Sequence, residues 1–118
     1  MTSLVRVSFL ALALTGSAGA NAADYAPLDC GKATSPAQKT ICGDYLLGQQ
    51  EARVATLFEW STSFVAMGQR DHIHDDQRVF IETRDACGVD TACLRKTYAK
   101  RITQLEAAMN DIKSRGPF

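Results

Sequence analysis

The sequence lacks an excess of charge of either sign. Its 118 residues contain 13 Lys and Arg against 13 Asp and Glu, and basic residues occur in runs no longer than pairs such as Arg95-Lys96. Proteins that bind phosphate backbones need clustered basic residues. The composition therefore argues against nucleic acid as a partner.

Signature motifs of catalytic sites are also missing. The chain contains no G-x-S-x-G, no phosphate-binding P-loop and no H-E-x-x-H. Neither His72 nor His74 stands at a recognisable spacing from a nucleophilic Ser or Cys. We therefore expect a non-enzymatic protein that needs no cofactor.

No hydrophobic stretch is long enough to cross a bilayer. The longest, residues 7–14, has about half of the roughly 20 residues that a membrane-spanning helix requires. It follows a single cation, Arg6, and precedes small residues that end in Ala20-Asn21-Ala22. This order is typical of a secretory signal peptide over residues 1–22.

We predict cleavage after Ala22, with Ala20 as the competing site. No Cys lies near either position, so lipid attachment is not predicted. Residues 23–118 then form a single mature domain with a net charge near −1. We expect this domain to be periplasmic or secreted, with no membrane anchor after cleavage.

Cysteines are few, and their spacing is informative. An even number in an exported protein predicts disulfides. The spacing favours Cys30–Cys42 and Cys87–Cys93, because each pair joins close neighbours across a predicted helix boundary. Crossed pairings are the alternative. Structural zinc sites favour two to four residues between paired cysteines, and these gaps are longer, so zinc is disfavoured.

Helical periodicity accounts for most of the mature chain. Ser35-Pro36 has the form of an N-cap and a first-turn proline, which predicts a short helix through Cys42. Asp44 is expected to cap a long helix that continues to about Met67, because apolar residues recur at helical intervals over this range.

Two further helices are predicted after a break at Gly68-Gln69-Arg70-Asp71. Asp71 is expected to cap the first of them, which ends near Cys87-Gly88, and Asp90 or Thr91 to cap the last, which ends at Gly116-Pro117. No sustained two-residue alternation indicates strands. The predicted fold is all-α, a small antiparallel bundle or helical hairpin of about three helices plus a short N-terminal helix, held by two disulfides.

Four polar residues are candidates for contacting a partner. Gln77 and Arg84 lie seven residues apart on an apolar stripe, where a polar side chain needs a partner. They either bridge helices within the fold or form part of a recognition surface. Arg70 lies in the predicted turn, and Asp90 lies in the loop bounded by Cys87 and Cys93.

His72 and His74, with neighbouring acidic residues, are weak candidates for a metal site. Residues two apart on a helix point in roughly opposite directions, so the two imidazoles would chelate together only in an extended segment. The acidic residues are explained equally well by the dipole at a helix start. We therefore favour a solvated helix start over a metal site.

Three motifs give the chain a family resemblance: Ile41-Cys42-Gly43-Asp44, Arg84-Asp85-x-Cys87 and Cys93-Leu94-x-x-x-Tyr98-x-x-Arg101. Over residues 29–105 the chain resembles the lysozyme inhibitor LprI-like N-terminal domain family. The resemblance implies a helical, disulfide-bonded, extracytoplasmic domain, and inhibition of lysozyme for some members. Phe80 stands where the family usually has Trp, a change that could alter a binding face.

We therefore expect an extracytoplasmic, non-enzymatic binding protein with a protein partner, for which lysozyme is the specific candidate. One alternative is a periplasmic structural or stress-associated domain that binds an unknown partner. Metal binding is the less favoured alternative.

Overall fold

The computed structural model describes residues 27–116, so the predicted signal peptide and its cleavage sites lie outside the described residues. A short 3-10 helix, Cys30–Lys32, precedes four α-helices: α1 Pro36–Gly43, α2 Tyr45–Ser63, α3 Met67–Ala86 and α4 Thr91–Ser114. Between residues 27 and 116 the chain forms no β-strand. The all-α prediction is confirmed.

The predicted caps of α1 and α2 are confirmed. Ser35 Oγ accepts the N–H of Gln38 at 3.1 Å while Gln38 Oε1 accepts the N–H of Ser35 at 3.2 Å, a reciprocal capping box. Asp44, the only residue between the two helices, accepts the N–H of Leu47 at 3.0 Å. That hydrogen bond and the nearby Arg95 lower the pKa of the Asp44 carboxyl.

The start of α4 also follows the sequence prediction. Asp90 is its N-cap, and a carboxylate oxygen of Asp90 accepts the N–H of Cys93 at 3.0 Å. Just before it, Gly88 has φ +57°, a left-handed conformation that side-chain-bearing residues rarely adopt. A glycine at this position therefore lets the chain reverse between α3 and α4.

The predicted break between the two middle helices is wrong in position. The chain turns at residues 64–66, and residues 68–71 belong to the first turns of α3. The N-cap is Ala66, which has no capping side chain, and not Asp71. A helix tolerates a glycine such as Gly68 at a cost of about 1 kcal/mol. Val65 is buried, and the turn is stabilised by this packing.

Contacts between the helices define their directions. Glu51 of α2 meets Arg84 of α3, and further along both helices the carbonyl of Thr62 meets Arg70, so α2 and α3 are antiparallel. By the same reasoning, α3 and α4 are antiparallel and α2 runs in the same direction as α4. The result is an up-down-up three-helix bundle against which α1 packs.

The core lies where α1 and the three long helices converge. Edge-on contact between the rings of Phe80 and Tyr98, with centroids 5.3 Å apart, joins α3 to α4. Each helix contributes one apolar stripe, as amphipathic helices do. The buried core residues are Ala37, Ile41, Leu47, Val54, Phe58, Phe80, Leu94, Tyr98 and Leu105.

Both favoured disulfides are confirmed. Cys30–Cys42 joins the 3-10 helix to the last turn of α1. Cys87–Cys93 joins the end of α3 to the first turn of α4. Each bond therefore constrains the chain at a helix boundary.

Candidate functional site

Three large apolar side chains are exposed where α2 ends and α3 begins. Trp60 is 53% exposed, Phe64 44% and Met67 73%. The Trp60 and Phe64 rings pack one helical turn apart, with centroids 5.6 Å from each other. We call Trp60, Phe64 and Met67 the apolar tip cluster. Contiguous exposed apolar side chains, such as the paired rings of Trp60 and Phe64, mark a contact surface more often than single exposed residues do.

Arg70 holds the chain beneath this cluster. Its Nε donates to the carbonyl of Thr62 at 2.9 Å and its Nη2 donates to the carbonyl of Val65 at 3.3 Å. Carbonyls at the end of a helix lack intrahelical partners, and a cation there is favoured by the helix dipole. Arg70 therefore joins the end of α2 to the start of α3. The prediction that Arg70 lies in a turn is wrong, because Arg70 belongs to the first turns of α3 and its guanidinium donates to backbone carbonyls.

Replacing Arg70 with alanine is expected to lower the free energy of unfolding by about 1–2 kcal/mol, because two carbonyls lose a charged donor. Amide hydrogen exchange should accelerate first at residues 64–67. Arg78→Ala, which removes an exposed ion pair with Asp75, is the matched control and should change stability by less than about 0.5 kcal/mol. Equal effects of the two substitutions would contradict the supporting role of Arg70.

Arg84 lies in a buried polar network centred on Glu51. One carboxylate oxygen of Glu51 accepts the hydroxyl of Tyr98 and lies 3.4 Å from Nη1 of Arg84, and the other accepts the N–H of Leu28 at 3.1 Å. Burial and the adjacent Glu51 carboxylate raise the pKa of the Tyr98 phenol, so Tyr98 remains a hydrogen-bond donor.

The charge of Arg84 is retained in this site. Burial acts to lower its pKa, but the hydrogen bond to Asp85 and the charge of Glu51 outweigh burial and raise it. Nε of Arg84 donates to Asp85 at 2.9 Å. The Arg84 guanidinium thus links the buried carboxylate of Glu51 to the partly exposed carboxylate of Asp85.

Gln77 belongs to a second buried network, centred on Arg101. Nε of Arg101 donates to Oε1 of Gln77 at 2.9 Å, Nη2 donates to the carbonyl of Ile73 at 3.1 Å, and Nη1 donates to Gln104 at 3.3 Å. Burial lowers the pKa of Arg101, and Asp76, 3.9 Å away, partly offsets that effect. The network ties α3 to α4.

Of the four predicted contact residues, Gln77 and Arg84 have partners inside the fold, as the structural alternative for them predicted. Asp90 serves as a helix cap. Contact of any of the four with a protein partner stays a prediction.

Sequence reasoning missed Glu51 and Arg101, the central residues of the two networks. A signal was present. Glu51 follows Leu47 by four residues, and Arg101 precedes Leu105 by four, so each charged residue shares a helical stripe with a core leucine. Such positions point to a buried charge with a partner.

The two histidines face different surroundings. The His74 ring packs edge-on against Phe58, with centroids 5.1 Å apart, whereas His72 is exposed. Within residues 27–116 no group of three or more His, Cys, Asp or Glu side chains is placed to hold a metal ion. We do not propose a metal site.

Comparisons with known proteins leave the family assignment as a prediction. No family model matches the chain, and neither curated proteins nor solved structures give a match. The resemblance to the LprI-like family therefore depends on the sequence motifs alone. Among the helices of residues 27–116, none has the length and hydrophobicity needed to span a bilayer.

Proposed function

We propose that this chain is an extracytoplasmic, non-enzymatic binding protein that contacts a protein partner through the apolar tip cluster. The observation that supports this is the exposure of Trp60, Phe64 and Met67 at and beside a turn held by Arg70. Aromatic side chains and Met are enriched in protein interfaces, and a turn held in place loses little conformational entropy on binding.

Two features support a location outside the cytoplasm. All four cysteines form disulfides, which persist mainly in oxidising compartments. The first 22 residues also have the order of a secretory signal peptide. The proposed site of action is the periplasm or the extracellular medium.

Lysozyme is the partner we propose to test first, on the strength of the family resemblance. Its cleft uses two carboxylic acid residues, so an inhibitor needs donors beside its apolar contacts. The nearest such donor is Arg115, whose Nη1 donates to Oε1 of Gln69 in the first turn of α3 at 3.1 Å and whose Nη2 pairs with Asp111, so a partner's carboxylate would have to compete for it. The Arg115 side chain is 46% exposed.

A cell-wall lysis assay with several lysozyme types tests this proposal. We expect dose-dependent inhibition that weakens about tenfold or more in a Trp60→Ala/Met67→Ala variant, since truncating an interface anchor costs 1–2 kcal/mol or more. Val89 is the matched control, because it is 73% exposed but lies in the connection between α3 and α4. Val89→Ala should inhibit as well as the unchanged protein.

The single tryptophan gives an independent measurement of the contact. Trp60 is the only Trp in the chain, so a partner that covers the tip cluster should shift the fluorescence emission of Trp60 to shorter wavelength.

If the protein inhibits no lysozyme at a concentration of about 10 μM, the lysozyme assignment is wrong. The structural or stress-associated alternative then leads, and capture from periplasmic extract tests it.

Capture from periplasmic extract also tests whether the apolar tip cluster is the contact surface. A partner retained by the unchanged protein and lost with Trp60→Ala/Met67→Ala would support the tip as the contact surface. A partner retained equally by both proteins would contradict it.

A further inference from the structure

A cleft separates the C-terminal half of α3 from the N-terminal half of α4, away from the apolar tip cluster. Its volume is about 240 Å³. Phe80, only 5% exposed, forms the floor, and Val79, 60% exposed, forms part of one rim. Thr83 and Thr97 add further walls. The two helices thus leave an apolar surface that a ligand can reach from solvent.

The opposite rim is basic. Lys96 and Lys100 lie one helical turn apart on α4, and both side chains are exposed. Neither has a carboxylate within ion-pairing distance among residues 27–116, whereas Arg78, Arg84 and Arg95 on the same two helices each pair with at least one. Lys96 and Lys100 therefore line the cleft without an ion-pair partner in the described part of the chain.

One end of the cleft adds a fixed charge. The Arg101 guanidinium is held by Gln77 and the carbonyl of Ile73, so it cannot turn away from the cleft. Asp76, which also lines the cleft, offsets one positive charge. Lys96, Lys100, Arg101 and Asp76 together leave an excess of positive charge beside an apolar floor.

We infer that this cleft binds a small amphipathic carboxylate, with its apolar chain on Phe80 and Val79 and its carboxylate between Lys96 and Lys100. A cleft of about 240 Å³ suits a ligand with a short aliphatic chain, for which the eight-carbon acid octanoate is a suitable probe. The charge of the rim selects an acid over a neutral molecule of equal length. This inference does not depend on the proposed protein partner.

Titration of the full mature protein with octanoate, followed by amide chemical shifts, tests the site. We expect saturable shifts at Val79, Thr83 and Thr97 with a dissociation constant near or below about 1 mM. The neutral probe 1-octanol should bind at least about fivefold more weakly, a factor that corresponds to about 1 kcal/mol. Added salt should weaken octanoate binding more than octanol binding, because salt screens the attraction between the carboxylate and the two lysines.

Variants separate the charged rim from general hydrophobic binding. Lys96→Gln/Lys100→Gln should weaken octanoate about fivefold and leave octanol unchanged. Val79→Glu, which removes an apolar contact of both probes and places a like charge beside the carboxylate, should weaken octanoate binding more than octanol binding. Lys39→Gln/Lys113→Gln removes two lysines that also lack a carboxylate partner in the described chain but lie outside the cleft, and should change neither affinity.

Three results would overturn the inference. One is the absence of saturable octanoate binding up to about ten times the expected constant. The second is that octanol and octanoate bind with equal affinity, or that Lys96→Gln/Lys100→Gln and Lys39→Gln/Lys113→Gln lose octanoate affinity equally. The third is a set of shifts confined to the apolar tip cluster.

Discussion

Replacing Glu51 with alanine is expected to lower the free energy of unfolding by about 3–5 kcal/mol, the usual cost of breaking a buried charge pair. Glu51 is only 9% exposed. Its loss leaves the Tyr98 hydroxyl and the Leu28 N–H without their acceptor, and leaves Arg84 with Asp85 alone. Each unsatisfied buried group adds its own desolvation cost.

Urea denaturation followed by far-ultraviolet circular dichroism measures this effect. Glu106 provides the matched control, because it pairs with Arg53 on the surface and its side chain is 43% exposed. Glu106→Ala should cost less than about 1 kcal/mol. A loss below about 1 kcal/mol for Glu51→Ala as well would show that the network is not a main source of stability.

A double-mutant cycle with Tyr98→Phe separates the hydrogen bond from the ion pair. This substitution keeps the ring that packs against Phe80 and removes only the hydroxyl. Coupling between Tyr98→Phe and Glu51→Ala of about 1 kcal/mol or more is expected, since both remove the same contact. Additive effects would contradict a direct Tyr98–Glu51 bond.

Loss of the disulfides is the second large effect. In the loop-entropy model, removing Cys30–Cys42 by paired alanine substitutions should cost about 3 kcal/mol, and removing Cys87–Cys93 slightly more than 2 kcal/mol, because the first closes 12 residues and the second 6. Together they equal much of the 5–15 kcal/mol stability of a typical domain. The variant without both should be largely unfolded at 37 °C.

Denaturation of the two double-alanine variants and of the reduced protein tests the predicted order of the two stability losses. The Cys30–Cys42 variant should also destabilise the Glu51 network, since this bond holds the segment whose Leu28 N–H binds Glu51. Exchange of the Leu28 amide should therefore accelerate in that variant and remain unchanged in the Cys87–Cys93 variant. A smaller cost for the 12-residue loop than for the 6-residue loop would contradict the entropic account.

The two buried networks bear on how the proposed binding surfaces keep their form. Arg101 fixes one end of the basic cleft while joining α3 to α4, and Arg70 fixes the turn beneath the apolar tip cluster. Both arginines therefore stabilise the fold and also border a proposed binding surface. Substitutions at Arg70 or Arg101 therefore confound stability with binding, and the binding experiments use exposed residues instead.

The sequence alone determined the features that depend on near neighbours. The caps at Ser35, Asp44 and Asp90 each satisfy a backbone N–H within three residues, so their side chains and spacing were sufficient to locate three helix starts. The disulfides were predictable for the same reason, because each joins cysteines close in the chain. Helical periodicity then implied an all-α bundle.

Tertiary structure decided the features that depend on distant partners. The turn at residues 64–66 has no capping side chain and is stabilised by burial of Val65 and by Arg70 reaching back to α2, so no local signal located it. The stripes could show that Glu51 and Arg101 face the core, but not which groups would meet them. Glu51 binds Tyr98, 47 residues away, and Arg101 binds Gln77, 24 residues away. Such pairs form because a buried charge must find a partner wherever the packing of the helices provides one.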